Sequence, residues 1–345
     1  MTTPSQNLDR AQTASTLMDC TLRDSSYSIN FQFSERDTRN IARGLDEAGV
    51  KYIEIGHGLG LGASSPEFGM AFETDEAYIA AARQSVLSSK IGAFFITGIG
   101  NHDDLNIAAD NGLDFVRVGN NVTEFEESED DIAAALNLGL EVHLNLMKTY
   151  ALGVEEFARK LEITRGWGLS SVYIVDSAGY MLPQNVTDYT HAASEACDTS
   201  IGFHGHNNLN LANANSLSAL DAGAEFVDGT LRGMGRSSGN AQTEVLASLL
   251  PRSGYKIHVD ISKLFEVSEH FLVPLMVKKQ GDDPLDIVIG MSKFHTAYLP
   301  LFRRVVNKFD VNLYRLIETV SEINCVDPTE ELITEVARDL NRTDG

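Results

Sequence analysis

Eight short apolar runs, most of them followed by a stretch with helical spacing, constrain this chain more than any other feature. They lie at 16–21, 51–56, 91–97, 114–119, 140–146, 171–176, 200–205 and 225–231, and each ends in glycine or polar residues. Short apolar runs that alternate with helical spacing are the pattern of βα units. Between them Glu35–Ala48, Asp75–Leu87, Glu155–Trp167 and Asn208–Ala222 read as amphipathic helices, and Gly49, Gly112, Gly139, Gly168 and Gly223 stand where helices commonly end. Eight β-then-α units in roughly 240 residues predict an α/β fold, a (β/α)8 TIM barrel, because a doubly wound sheet more often has five or six strands.

After about residue 250 the strand signal stops. Helical patterns take over at Ile261–Val277, Phe294–Lys308, Leu313–Ile323 and Thr329–Leu340, with Pro251, Pro274, Pro284 and Pro328 as expected breaks. The expected organisation is a loose N-terminal arm over 1–14, a TIM-barrel catalytic domain over 15–255 and a helical C-terminal region over 256–345. The polar first residues and the absence of any 18-residue apolar stretch predict no membrane span and cytoplasmic residence. Cys20, Cys197 and Cys325 have no metal-ligand or paired spacing, which fits reduced thiols. A formal net charge of −22, spread along the chain, disfavours nucleic acid or an anionic membrane as partner.

In a barrel of this kind the reactive groups stand at the carboxyl ends of the strands. Those positions here hold Arg23 and Asp24, His57, Lys148, Asp176 and Ser177, and the run His204 to Asn208. His204 and His206, two apart on a strand, point to one face. Asp24 can join them, since the eighth strand alone separates the seventh from the first. An HxH pair by itself is more often polar surface or barrel filling; the strand-end position and the nearby carboxylate favour a metal. Two imidazoles and a carboxylate with open positions suit catalytic Mn2+, Co2+, Fe2+ or Zn2+.

The runs TLRD (21–24), EIGHGLGLGASS (54–65), VDSAGYMLP (175–183), FHGHNNLNLANANS (203–216) and GMGRSSGNAQTE (233–244) resemble the DRE-TIM metallolyases. Within them the chain looks most like the 4-hydroxy-2-oxoacid aldolases of the 4-hydroxy-2-oxovalerate type. The resemblance implies a class II aldol reaction on a 4-hydroxy-2-oxoacid, giving pyruvate and an aldehyde through a metal-stabilised pyruvate enolate. Mn2+ is the expected ion, with Mg2+, Co2+ or Zn2+ as alternatives. Arg23 matches the arginine that stabilises enolate charge; its structural alternative is a salt bridge with Asp176. Ser177 matches the serine that contacts the substrate carboxylate. Asn240 either reaches the metal site or caps the next helix, and Gly233, Gly235 and Gly239 allow a tight turn.

The chain departs from those aldolases where they carry RDGSH. It reads RDSSY, placing Tyr27 at the position of the histidine base, while His295 falls on or near the position of their C-terminal tyrosine. Tyr27 and His295 are therefore the expected proton-transfer groups, in exchanged places. The resemblance further implies a partner at the C-terminal helices, an acylating aldehyde dehydrogenase or a second copy of the chain. Three other readings stay open. An acetyl-CoA-dependent Claisen enzyme of the isopropylmalate synthase or hydroxymethylglutaryl-CoA lyase type shares the barrel and ligands, although the chain reads HGHNN rather than HxHND and has no cysteine in 233–240. Lys148 could serve as the amine of a class I aldolase. A non-catalytic barrel could bind the metal or a 2-oxoacid.

Overall fold

The computed structural model describes residues 15–277, 280–281 and 283–344, so the expected arm at 1–14 lies outside the described residues. All eight expected strands form: β1 Thr16–Asp19, β2 Tyr52–Ile55, β3 Lys90–Ile96, β4 Phe115–Asn121, β5 Glu141–Met147, β6 Ser171–Asp176, β7 Ser200–Gly205 and β8 Phe226–Gly229. Every pairing is parallel, each strand beside its sequence neighbour, and β8 closes on β1 with Thr16 opposite Phe226 and Asp19 opposite Gly229. The chain is a (β/α)8 barrel.

Helices fill the crossovers: α1 Thr21–Asp24, α2 Glu35–Glu47, α3 Asp75–Arg83, α4 His102–Asp110, α5 Glu129–Asn137, α6 Val154–Leu161, α7 Pro183–Ala196, α8 Ala212–Asp221 and α9 Thr243–Arg252. Their ends follow local chemistry. The Ser34 side chain and Asp37 form a reciprocal capping box that starts α2. α3 stops four residues earlier than its periodicity suggests, because the Asp46 carboxylate takes the backbone N–H groups of Leu87, Ser88 and Ser89 at 2.7–2.9 Å. Pro251, expected to break the chain, sits inside the last turn of α9, and the helix ends one residue later at Arg252.

The C-terminal part holds α10 Ile261–Val267, α11 Pro284–Met291, α12 Leu299–Phe309, α13 Leu313–Ile323 and α14 Glu330–Asp344. The expected helix Ile261–Val277 passes after α10 into a π segment, Ser268–Leu272, and a 3-10 turn at Pro274. α11 was not expected. Its sequence PLDIVIGM, with the buried Asp286 as its one charged residue, shows no clear amphipathic period, but Pro284 at its start and the Asp283 cap on Leu285 fix its beginning. Packing divides this part in two. Leu264, Val267 and Leu272 join the barrel core, whereas Ile289, Phe302, Leu316, Val320 and Ile333 form a second core. Among the described residues no helix is long and apolar enough to cross a membrane.

The seam that closes the barrel carries a buried carboxylate. Asp19, at the end of β1, accepts from Thr21 N at 2.9 Å and from the Thr243 hydroxyl of α9 at 2.6 Å. Burial lifts its pKa from 3.8 to about 7 against these hydrogen bonds. A carboxyl that binds its proton more tightly when folded gives its full stabilisation below the unfolded pKa and loses it as the pH rises through the folded one. Asp19→Asn, which keeps the Thr21 contact at its oxygen and reverses the Thr243 contact so that its NH2 donates, all without the charge, is therefore expected to be more stable than the parent at pH 8. The gain is on the order of 3–4 kcal/mol and shrinks to near zero by pH 4. Urea unfolding across that range checks it, and a difference that does not vary with pH would contradict the assignment.

Candidate metal centre and active site

β1 runs straight into α1, and the Cys20 carbonyl receives the N–H groups of both Arg23 and Asp24 at 3.2 and 2.8 Å. That turn aims Asp24 across the barrel mouth at β7. The Asp24 Oδ2 atom accepts from Arg23 Nη1 at 2.9 Å and lies 3.4 Å from His204 Nε2, while its buried Oδ1 has no partner. His204 Nδ1 pairs with Asp228 Oδ2 at 2.9 Å, and His206 Nδ1 with the Gly239 carbonyl at 3.3 Å. With each Nδ1 proton given to an acceptor, each Nε2 is left as a lone-pair donor. One donor atom from each of Asp24, His204 and His206 lies within 4.8 Å of the others.

The electrostatics suit a cation. Burial alone would raise the Asp24 pKa, but the Arg23 guanidinium and both imidazoles hold it well below the usual carboxylate range. Burial would likewise depress His204, yet its bonds to Asp228 and Asp24 raise it. His206 is pushed well down by burial and by Arg236. A second cluster, Cys20, His204 and Asp228, is less suited to an ion. Arg117 already donates to Cys20 Sγ at 3.2 Å and to Asp228 at 2.6 Å, and burial holds the thiol protonated. Asn240 is buried beside the first cluster with both side-chain polar atoms unpaired. A Cβ on Gly235 would come 2.3 Å from Asn240 Nδ2 and 3.3 Å from Asp24 Oδ1. Since α9 starts later, at Thr243 with Gln242 before it, Asn240 does not cap that helix.

Arg23 does not pair with Asp176. Its Nε donates to Glu54 at 2.8 Å, and its guanidinium lies 4.9 Å from the centre of the Phe94 ring. Asp176 instead accepts from the N–H groups of Tyr180 and Met181, both at 2.9 Å, and shapes the loop after β6. Ser177 Oγ accepts from Lys148 N at 2.9 Å, leaving its own proton to be donated. His57 is a loop pin: its ring nitrogens meet Gly69 O and Leu59 N, each at 3.1 Å.

Tyr27 and His295 do line one cavity, of about 190 Å3, together with Arg23, Asp24, Ser177, His204 and His206. Tyr27 stands on the 3-10 turn Ser25–Ile29 against Gly58, where an added Cβ would lie 2.6 Å from its ring. Burial pushes its phenol up to about 12. His295 is not on a helix; it caps a 3-10 turn at Thr296–Tyr298 by accepting from Ala297 N. Burial, with Arg236 and Lys148 nearby, holds its imidazole well below the usual histidine range.

Two arginines complete the site, and sequence reasoning missed both. Arg236 reaches from the glycine-rich loop to His206 Nε2 at 3.3 Å, to the Ser177 carbonyl at 3.4 Å and to His295. Arg117, fully buried on β4, bonds Asp228 at 2.6 Å and Glu54 at 3.2 Å, the partners of His204 and Arg23. For Arg117 the available signal was a charge inside three of the apolar runs, VRV, IEI and VDG, where an unpaired charge is too costly to bury.

The pattern of the HMGL-like family matches residues 14–271, about three-quarters of the chain. The chain belongs to the HMGL-like family. The 4-hydroxy-2-oxovalerate aldolase 4 of Rhodococcus opacus (strain B4) is 38% identical over 330 residues, covering 96% of this chain and 95% of that one. The 4-hydroxy-2-oxovalerate aldolase of Carboxydothermus hydrogenoformans is 37% identical over 326 residues, covering 94% and 97%. Among solved structures, the N-terminal domain of a candidate aldolase from Bacteroides vulgatus matches with a TM-score of 0.73 and 25% identity, over 86% of this chain and 98% of that one. The carboxyl transferase domain of Rhizobium etli pyruvate carboxylase matches with a TM-score of 0.76 over 97% of this chain and 62% of that one, but at 16% identity only the fold is shared.

Two substitutions probe the support beneath the site. Asp228→Asn, which weakens the anchor of His204, is expected to lower affinity for an added divalent metal ion by about 10–100-fold in calorimetry. Arg117→Met takes the shared guanidinium from two buried carboxylates, leaving Glu54 only Arg23 and Asp228 only His204, and is expected to cost about 3–5 kcal/mol in urea unfolding.

Proposed function

We propose that this chain is a class II, divalent-metal-dependent aldolase that cleaves a 4-hydroxy-2-oxoacid to pyruvate and an aldehyde, or joins them. The observation that carries the reading is the convergence of Asp24, His204 and His206 beside Arg23 in one cavity, in a chain matching 4-hydroxy-2-oxovalerate aldolases over nearly its full length. In this reading those three residues hold the ion, Mn2+ by preference, with Asn240 within reach. The ion, when bound, supplies Lewis acidity toward the oxygens of the 2-oxoacid.

The chain's own groups do the rest. Ser177 donates its free hydroxyl proton to the substrate carboxylate. As the C3–C4 bond breaks, its electron pair stays with the pyruvate half as the enolate, and Arg23 neutralises the developing charge on the 2-oxygen. The 4-hydroxyl gives up its proton and becomes the aldehyde carbonyl. His295, neutral at working pH for the reasons above, receives that proton, and Tyr27, a neutral phenol, relays it. Reprotonation of the enolate at C3 gives pyruvate.

The finer assignments belong to the same reading. The catalytic unit is the barrel, and the helices from Pro284 onward form a second unit that completes the pocket and meets a partner, an aldehyde dehydrogenase or a second copy of the chain. Exposed Ile287, Met291, Tyr314 and Ile323 support such a contact. Three free cysteines support residence in the reducing cytoplasm.

Metal-loaded protein should release pyruvate from 4-hydroxy-2-oxoacids, lose the activity to a chelator and regain it with Mn2+. Thiol release from acetyl-CoA without pyruvate formation, or borohydride trapping of pyruvate on Lys148, would replace this reading with the Claisen or class I alternative. His295→Ala should lower kcat about 10²–10⁴-fold with metal affinity retained. An unchanged rate and pH profile would remove His295 from the mechanism.

A further inference from the structure

The cavity wall is electrostatically out of character with the chain. The molecule carries a net charge of −22, yet the cavity is lined by three cations, Arg23, Arg236 and Lys148, and one carboxylate, Asp24. Arg23 is matched by Asp24 and by Glu54 beneath it. Arg236 and Lys148 are not matched. Among the described residues neither has a carboxylate within 4.0 Å, although both are in a pocket where charge is poorly solvated.

What they touch instead is neutral. Arg236 donates to two imidazoles and to the Ser177 carbonyl and lies 5.7 Å from the centre of the Tyr27 ring. Lys148, 5% exposed, donates to the Val326 carbonyl and lies 5.4 Å from the Tyr298 ring. Burial lowers the lysine pKa to about 8, with Asp327 opposing and Arg236 adding to the fall. The arginine is built in rather than adventitious: Ser25 Oγ donates to the Met234 carbonyl at 2.7 Å and Ser28 Oγ to that of Gly235, fixing the two residues that precede it.

If His206 Nε2 is given to a metal, Arg236 loses that acceptor and keeps only His295 and a backbone carbonyl. A planar guanidinium with donors to spare, half-buried near the buried Lys148, is a receptor for a carboxylate. The 2-oxoacid end of the substrate is already served by the metal triad, Arg23 and Ser177. The unmatched cations therefore face the other half.

We propose that Arg236 and Lys148 form a subsite for an anionic group on the aldehyde half, so that the substrate is a 4-hydroxy-2-oxoacid with a distal carboxylate. This rests on the aldolase reading and deepens it. An anion that takes the N–H groups of Arg236 also releases the His295 ring from its contact with Arg236, coupling occupation of the subsite to availability of the base.

Binding and turnover test it separately. The Mn2+-loaded full-length protein is titrated calorimetrically with 2-oxoglutarate and with 2-oxopentanoate, which share the 2-oxoacid end and chain length and lack the 4-hydroxyl needed for cleavage. The dianion is expected to bind more tightly by about tenfold or more, as charge-assisted hydrogen bonds allow. In Arg236→Ala the ratio should fall to near one, Arg236→Lys should keep part of it, and Lys148→Met should lower it. A parent ratio near one, or an equal loss for both ligands in Arg236→Ala, would overturn the subsite, the latter by assigning Arg236 to the shared 2-oxoacid end. Cleavage of 4-hydroxy-2-oxoglutarate is then compared with that of 4-hydroxy-2-oxopentanoate, with a higher kcat/KM expected for the former. Silence on both, with the binding ratio intact, would fail the aldolase reading and leave the subsite standing.

Discussion

One buried guanidinium holds this site together. Arg117 sits at the centre of the barrel with no exposed surface, bonded on one side to Asp228 and on the other to Glu54. Asp228 fixes the ring of His204, and Glu54 fixes the guanidinium of Arg23. A candidate metal ligand from β7 and a candidate charge-neutralising group from the end of β1 are thus referred to a single point on β4. Burying such a network is costly, and its net contribution to stability is small beside hydrophobic packing of equal volume. Its value is positional, since Tyr173 beneath Arg117, at 4.3 Å from the guanidinium to the ring centre, closes the layer against water.

The loop after β8 is the second element of the site, and its glycines are there for close approach. At Gly239, φ is +85°, and a Cβ would lie 1.9 Å from the Gly233 carbonyl. The loop folds back on itself through Asn240 N to Gly233 O at 3.1 Å and meets the segment just after β7 through Asn207 N to Gly239 O at 2.9 Å. The second of these bonds brings the Gly239 carbonyl beside His206, the residue that follows β7, where it orients the ring. The same folding swings Arg236 over the barrel mouth. A loop that looks like a spacer in sequence is therefore both a ligand support and a wall of the pocket.

The barrel was legible because its signal is repeated: eight apolar runs, each followed by a helical stretch or a capping residue, reinforce one another even where a single boundary is vague. Asp24, His204 and His206 were legible because strand ends are privileged positions and the two-residue spacing sets a common face. The pairing of Arg23 was not, since Asp176 and Glu54 both lie at or near strand ends and only the loop after β6 shows that backbone N–H groups claim Asp176. Arg236 was hidden among glycines and serines, where a turn is the ordinary meaning. α11 was hidden because a short helix whose one charged residue, Asp286, is itself buried has no polar face to set a period.

The part of the chain that sequence reads least well is also the part most able to choose the substrate. Ala297 and Tyr298 join His295 in the cavity, and Val326 holds Lys148 in place. The second core is tied to the catalytic loops through Asp286 of α11, whose carbonyl accepts from Asn208 at 3.0 Å and whose carboxylate accepts from Ser237 at 2.7 Å. Asn208 follows His206 by two residues and Ser237 follows Arg236. A shift of α11 would therefore move the backbone beside a candidate metal ligand and the arginine over the pocket together, while Arg117 held Arg23 and His204 fixed. The barrel interior sets the chemistry common to both halves of the reaction; the contacts across Asp286 and Val326 set the shape and charge of what lies beyond it.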